Sequence, residues 1–115
     1  MSNMFKDGYD QLVNKLQTIT GLTVFNDPRN LNPPCALVEA PVISMASNVV
    51  ADMEFRVVVI AMGTGDNQTL DTLLDKADLV RAAQLGLTDA RPTTVSYGGA
   101  EYAAYELTIR TKVSP

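Results

Sequence analysis

Two runs of this chain stay apolar, or alternate apolar with polar, for longer than a small domain needs. Residues 49–62 and 100–113 each read as one extended segment of about 14 residues, spanning about 46 Å at a rise of ~3.3 Å per residue. A compact domain of this length has a radius of gyration near ~13 Å, hence a diameter of about 35 Å. Strands of that length must bend, break or project. A projecting ribbon suits a protein that docks on its neighbours.

The first run changes character partway. Asp52, Glu54 and Arg56 alternate with Met53, Phe55 and Val57, as in a strand with one wet face. From Val57 to Ile60 both faces are apolar, as in a central strand covered on both sides, so the first half is expected at the edge of the fold and the second inside it. In the second run Ala103, Tyr105, Leu107 and Ile109 share one face, and Glu106, Thr108, Arg110 and Lys112 the other. Thr93 to Tyr97, then Gly98-Gly99, then Ala100 onward predicts a hairpin with a tight glycine turn, opened by Arg91-Pro92.

Two stretches carry helical spacing. Phe5, Tyr9, Leu12, Leu16 and Ile19 fall on one face of a helix over 3–19, with Asn3 to cap its start and Gly21 placed as a C′ residue. Gly8 costs that helix up to ~1 kcal/mol relative to Ala. A second helix is expected over 67–85, with Leu70, Leu73, Leu74, Ala77 and Val80 as its apolar stripe, Asp66 or Asn67 as its cap and Gly86 as its stop. Asp71 and Asp75 then suit the positive end of the helix dipole.

Between these elements lie shorter ones. Residues 22–25 read as a short strand, and Asn26-Asp27-Pro28-Arg29-Asn30 with Asn32-Pro33-Pro34 as a loop that bars a helix. Residues 35–40 read as a short buried strand interrupted by Pro41, and 42–48 as an extended arm or hairpin tip. The expectation is one α+β domain over 1–115, mainly antiparallel, in the order α-β-β-β-α-β-β, with both helices on one face of the sheet.

Composition sets limits on function. The chain has 115 residues, 46% hydrophobic and 19% charged, with a formal charge of −4 and no histidine. The nine basic residues are scattered, whereas a protein that grips DNA through its phosphates needs concentrated positive charge. An acidic passage through which DNA slides remains open. Without histidine, a Ser-His-Asp or Cys-His arrangement within one chain is impossible. Cys35, the only cysteine, rules out an intrachain disulfide and reads as a buried inert thiol. Residues 1–6 lack the apolar region of a signal peptide, and no apolar stretch approaches the ~20 residues of a membrane span. A reducing, aqueous compartment is the expectation.

The remaining candidates for chemistry have ordinary explanations beside them. Asp71, Asp75 and Asp78 share one helix face and could approach a hard cation, but a solvated face accounts for them. Gly63-Thr64-Gly65 lies between strand and helix without the lysine of a phosphate loop. Tyr97, Tyr102 and Tyr105 gather near the hairpin without the basic groove that base stacking normally accompanies, which leaves core or interface packing. The charged strand faces read either as solvated surface or as a subunit contact in which opposite charges set register. The residues expected at such a contact are Val49 in an arm over 42–51, then Asp52, Glu54 and Arg56, opposed by Glu106 and Arg110. No catalytic, cofactor-binding or metal-binding residue is expected, and the chain is not expected to be an enzyme.

The layout resembles a known family. Leu22-Thr23-Val24-Phe25, then Asn32-Pro33-Pro34-Cys35-Ala36-Leu37-Val38, then Phe55-Arg56-Val57-Val58-Val59-Ile60-Ala61 before the second helix, is similar in order to the tail terminator proteins of long-tailed, siphovirus-type bacteriophages. The resemblance spans nearly the whole chain as an arrangement of elements. It implies a virion structural protein, made in the host cytoplasm, that forms a ring, usually a hexamer, at the head-proximal end of the tail tube. Such a ring ends tube polymerisation, meets the tail tube protein on one side and a head-completion or neck protein on the other, and lets genomic DNA pass without specific binding. It implies no cofactor and no membrane. The alternatives are another neck or tail-tube component, or a ferredoxin-like module that binds a small molecule.

Overall fold

The computed structural model describes residues 3–25, 35–61, 67–97 and 99–113. The elements are α1 (Met4–Gln17), β1 (Val24–Phe25), β2 (Cys35–Val38), β3 (Val42–Met45), β4 (Ala51–Ile60), α2 (Asn67–Ala82), β5 (Leu87–Tyr97) and β6 (Ala100–Val113). The fold is α+β as expected, with one strand more than predicted: the arm contains β3.

The sheet runs β1-β2-β4-β6-β5, and β3 pairs with β4 in line with β2. All pairings are antiparallel except β1 with β2. Its spine is the β4–β6 pair, in continuous register from Ala51↔Val113 to Ile60↔Ala104. β2 covers the far half of β4 (Val38↔Val57) and β3 the near half (Val42↔Glu54). Between those two pairs one side carries residues 39–41 and β4 only 55–56, so the β2–β3 side bulges by one residue at Pro41. A proline, lacking an N–H, fits such an interruption of the ladder. β4 is therefore central along its whole length: its first half is open on one face and does not lie at an edge.

The helix-covered face holds the main core. Leu12, Val13 and Leu16 of α1 and Leu73 and Val80 of α2 pack on Ala36, Val38, Met53, Phe55, Val57, Val59, Leu107 and Ile109. Phe55 is fully buried beside the Tyr9 ring, 6.2 Å between centroids, and such burial stabilises by roughly 1.5–3 kcal/mol. The far face carries a smaller cluster of Cys35, Leu37, Val58, Ile60 and Ala104, flanked by Phe25, Val95 and Tyr102. These two clusters explain why Val57 to Ile60 is apolar on both faces.

Several local expectations shift. Asn3 caps α1 through its side-chain oxygen, which accepts from the N–H groups of Phe5 (3.0 Å) and Lys6 (3.2 Å). The helix stops at Gln17 with Thr18 as its C-cap, so Gly21 lies beyond the C′ position. Gly8 has a packing reason: a Cβ there would meet Val113 Cγ1 at 2.6 Å and Met53 Sδ at 3.0 Å. α2 begins at Asn67 and has no acidic residue in its first turn, so Asp71 and Asp75 sit too far along to serve the dipole as expected. It ends at Ala82, and the left-handed residue that follows is Gln84 (φ 57), two positions before Gly86. Its buried stripe runs through Thr69, Leu73, Ala77 and Val80, while Leu70 and Leu74 face outward, 40% and 46% exposed.

The hairpin turn is placed as predicted, since Tyr97 pairs with Ala100. β5 nevertheless begins at Leu87, well before Arg91-Pro92, and carries a bulge between Leu87 and Asp89. The predicted run over 49–62 shortens to a ten-residue strand among the described residues, whereas β6 spans 14 residues unbroken. The molecule accordingly measures 46 × 27 × 23 Å, with a radius of gyration of 14.6 Å. It is drawn out along the strands, beyond the ~35 Å of a compact domain.

Candidate functional site: an apolar arm beside a charged sheet face

The arm is a hairpin formed by β3, residues 46–50 and the start of β4. Its turn is tied by Ala46 and Ser47, whose N–H groups both donate to the Val50 carbonyl (2.9 and 3.1 Å). The Ser47 hydroxyl accepts from the N–H groups of Val49 and Val50, both at 3.2 Å. These bonds pair the N–H groups of Ala46, Ser47, Val49 and Val50 within the turn and hold the tip in shape. The side chains it presents are apolar and uncovered: Val42 is 65% exposed, Ile43 40%, Met45 51% and Val49 57%. From Ala40 through Ala51 there is no charged residue.

The far face of the spine beside the arm carries the charges. Register places Asp52 opposite Lys112, Glu54 opposite Arg110, and Arg56 opposite Thr108. Arg56 bridges Glu39 (3.2 Å) and Glu106 (3.0 Å), and Arg110 reaches Glu54 at 3.5 Å. On β5, Arg91 pairs with Asp89 at 2.8 Å. All these groups are substantially solvated, and exposed pairs of this kind contribute about 0–1 kcal/mol each. A cleft of about 450 Å³ lies where arm and charged face meet, lined by Val42, Ser44, Asp52, Glu54, Arg110 and Lys112.

The six residues expected at a subunit contact therefore fall as follows. Val49 is at the arm tip. Asp52, Glu54, Arg56, Glu106 and Arg110 share one surface on adjacent strands, and four of them pair with each other inside the chain. The two charge sets anticipated as opposed surfaces are neighbours, because β4 and β6 lie side by side. Sequence reasoning missed the outward turn of Leu70 and Leu74. The signal for it was Thr69 and Val80, which centre the buried stripe on the other side of the helix.

The other candidates resolve into packing or surface. Asp78 is bonded to Arg81 at 2.6 Å, and that hydrogen bond and charge hold its carboxyl below the usual carboxylate range. Among the described residues no group of three or more His, Cys, Asp or Glu side chains is arranged to hold a metal ion. Tyr102 packs with the small cluster and Tyr105 with the main core, on opposite faces of β6. Cys35 is buried, as expected. No helix among the described residues is long and apolar enough to cross a membrane. Gly63-Thr64-Gly65, Asp66, Pro33 and Pro34 lie outside the described residues.

No family model matches this chain, and no curated protein is similar to it in sequence.

Proposed function

We propose that this chain is a self-assembling structural subunit of the tail-terminator kind: a virion protein without enzymatic activity whose copies close into a ring at the head-proximal end of a phage tail tube. The observation that carries the reading is the uncharged, exposed apolar arm at one end of an elongated domain. Large apolar side chains left exposed together on one hairpin mark an interaction site. The particular family rests on the sequence resemblance described above.

In this reading each subunit buries one surface against a different surface of the next, and the rotation between them closes the ring. Arm residues such as Val49 form the apolar centre of the contact. The charged face at Asp52, Glu54, Arg56, Glu106 and Arg110 forms its polar rim, where charge favours specificity more than affinity. The ring meets the tail tube protein on one side and a head-completion or neck protein on the other. The formal charge of −4 suits a passage through which DNA moves without adhering.

Mass in solution joined to negative-stain electron microscopy tests this. A closed ring of fixed copy number is expected. Open filaments would assign the chain to the tube instead. A monomer or dimer stabilised by one member of a metabolite panel would replace the structural role with a binding one.

A further inference from the structure

The large apolar side chains exposed among the described residues fall into two groups only: Val42, Ile43, Met45 and Val49 on the arm, and Leu70 and Leu74 on α2. We propose that the arm of one copy docks on the Leu70–Leu74 face of α2 in the next copy. This rests on the reading of the chain as a self-assembling subunit and names the two surfaces that meet.

The two groups lie toward opposite ends of the molecule. The arm projects from the end of the spine marked by Ala51 and Val113. β4 then runs ten residues, about 33 Å, to Ile60, and the chain enters α2 through the Leu70–Leu74 turns. α2 returns along the sheet toward Gly86, whose carbonyl accepts from the Arg110 N–H at 3.0 Å. The first turns of α2 therefore lie at the end remote from the arm. An arm cannot cover its own Leu70 and Leu74 at such a separation, but it can cover a neighbour's. A pairing of two different patches at opposite ends is heterologous, the kind that generates rings when the rotation closes.

Charge and area agree. Leu70 and Leu74 stand one turn apart, beside Asp71 and Asp75, which are exposed and make no ion pair among the described residues. By contrast, Asp78 is bonded to Arg81, and Lys76 donates to the Gly21 carbonyl. The acidic flank of the two leucines is thus unneutralised. The arm brings no charge of its own, and at its root the exposed Lys112 stands opposite Asp52, neither in an ion pair among the described residues. Seated on α2, the uncharged arm would cover the leucines without adding a carboxylate to their acidic flank. Along β3, Ile43 and Met45 share one face and Val42 the other, so Ile43 and Met45 with Leu70 and Leu74 offer on the order of 350 Å², about a fifth of the ~1,600 Å² of a standard interface. That share fits the apolar centre of a contact with a polar rim.

Two variants of the full chain test the pairing: Met45→Asp on the arm and Leu74→Asp on α2. Each side chain is about half exposed, so neither change empties the core. Each variant alone is expected to sediment as a monomer while the unaltered chain assembles. Mixed one to one, they should form a dimer of twice the monomer mass, because one keeps a sound helix face and the other a sound arm. Should either aspartate variant lose its folded circular dichroism spectrum, Met45→Ser and Leu74→Ser are read in the same way. An assembly unaffected by the Leu74 change, or a mixture that stays monomeric, overturns the docking and leaves the ring reading standing. Arm-to-arm association would show as a Leu74 variant that dimerises unaided. An unaltered chain that stays monomeric across a dilution series removes the ring reading itself, and the docking with it.

Discussion

Replacing Gly86 by alanine is expected to cost far more than the same change at Gly99. Both glycines adopt positive φ, +98° and +82°. In that region an L-residue carries a strain of about 1–2 kcal/mol, because its Cβ crowds the following carbonyl. Alanine also narrows the unfolded ensemble at either site, which returns about 0.4–1 kcal/mol. These two effects are common to both positions. The surroundings differ: a Cβ at Gly99 meets nothing within 4 Å, whereas one at Gly86 would stand 2.3 Å from the Arg110 carbonyl oxygen. That oxygen is backbone, in the strand that forms the spine, and cannot rotate away. Relief requires the segment entering β5 to move off β6, which breaks the bond from the Arg110 N–H to the Gly86 carbonyl (3.0 Å). Overpacking of this kind costs about 1–3 kcal/mol. Gly99→Ala should therefore lose at most ~1.5 kcal/mol and Gly86→Ala about 2–4 kcal/mol. For a domain of this size the latter lowers Tm by roughly 8–15 °C. Urea unfolding followed by far-UV circular dichroism measures both, with an unchanged slope as evidence that the same cooperative unit unfolds. Losses that agree within ~0.5 kcal/mol would refute the reasoning, since the close approach to Arg110 would then have no energetic consequence.

Gln84 occupies the left-handed position after α2 (φ 57), where glycine is favoured; Gln84→Gly should raise stability by roughly 0.5–1 kcal/mol, visible as a higher melting temperature. Arg81 holds the Asp78 carboxyl below its ordinary value, so in an NMR titration Asp78 should protonate below the usual carboxylate range, and Arg81→Gln should move its titration up. The pair's contribution to stability is then full above the ordinary carboxylate value and disappears as pH falls through Asp78's depressed one; an unmoved Asp78 in the variant would contradict this. Reversing Glu54 and Glu106 together to lysine removes the ion pairs with Arg110 and Arg56 and should weaken assembly most at low salt. An oligomer unchanged in light scattering would take those residues out of the contact.

Most of the spine was legible because it obeys a single period. β6 alternates cleanly from Tyr105 to Arg110, and its expected faces there coincide with the observed ones. The change in β4 at Val57 was also readable, since two buried clusters require apolar residues on both faces there. What alternation cannot reveal is the identity of a strand's neighbours. The first half of β4 looked like an edge because Asp52, Glu54 and Arg56 are polar, yet it is paired on both sides, by β3 and by β6. β3 itself was hidden because all four of its residues are exposed, so burial imposes no pattern on it. Helix ends were misplaced for a related reason: glycines at 21 and 86 suggested stops, but the chain leaves each helix earlier and uses those glycines in the turns that follow. The outward rotation of Leu70 and Leu74 follows from which side of α2 meets the sheet, and Thr69 takes the buried place that hydropathy alone gives to a leucine.

The open strands of this sheet are not alike, and the difference bears on what covers them. β5 lies at the sheet's edge, and its exposed residues include Asp89, Arg91 and Pro92. Charges and proline are the devices by which an edge resists pairing with another chain. β3, set in line with β2, presents Val42, Ile43, Ser44 and Met45 without a charge or a proline within the strand. Pro41 bounds it but leaves its ladder groups intact. An edge left unprotected in an otherwise charged molecule would carry a hazard of uncontrolled association unless a defined partner occupied the arm. The docking proposed above would supply that partner at a fixed geometry and leave β5 as a protected boundary. The same asymmetry would then give assembly a direction: a subunit that offers an apolar arm at one end and an apolar helix face toward the other would extend head to tail until the last arm met the first helix.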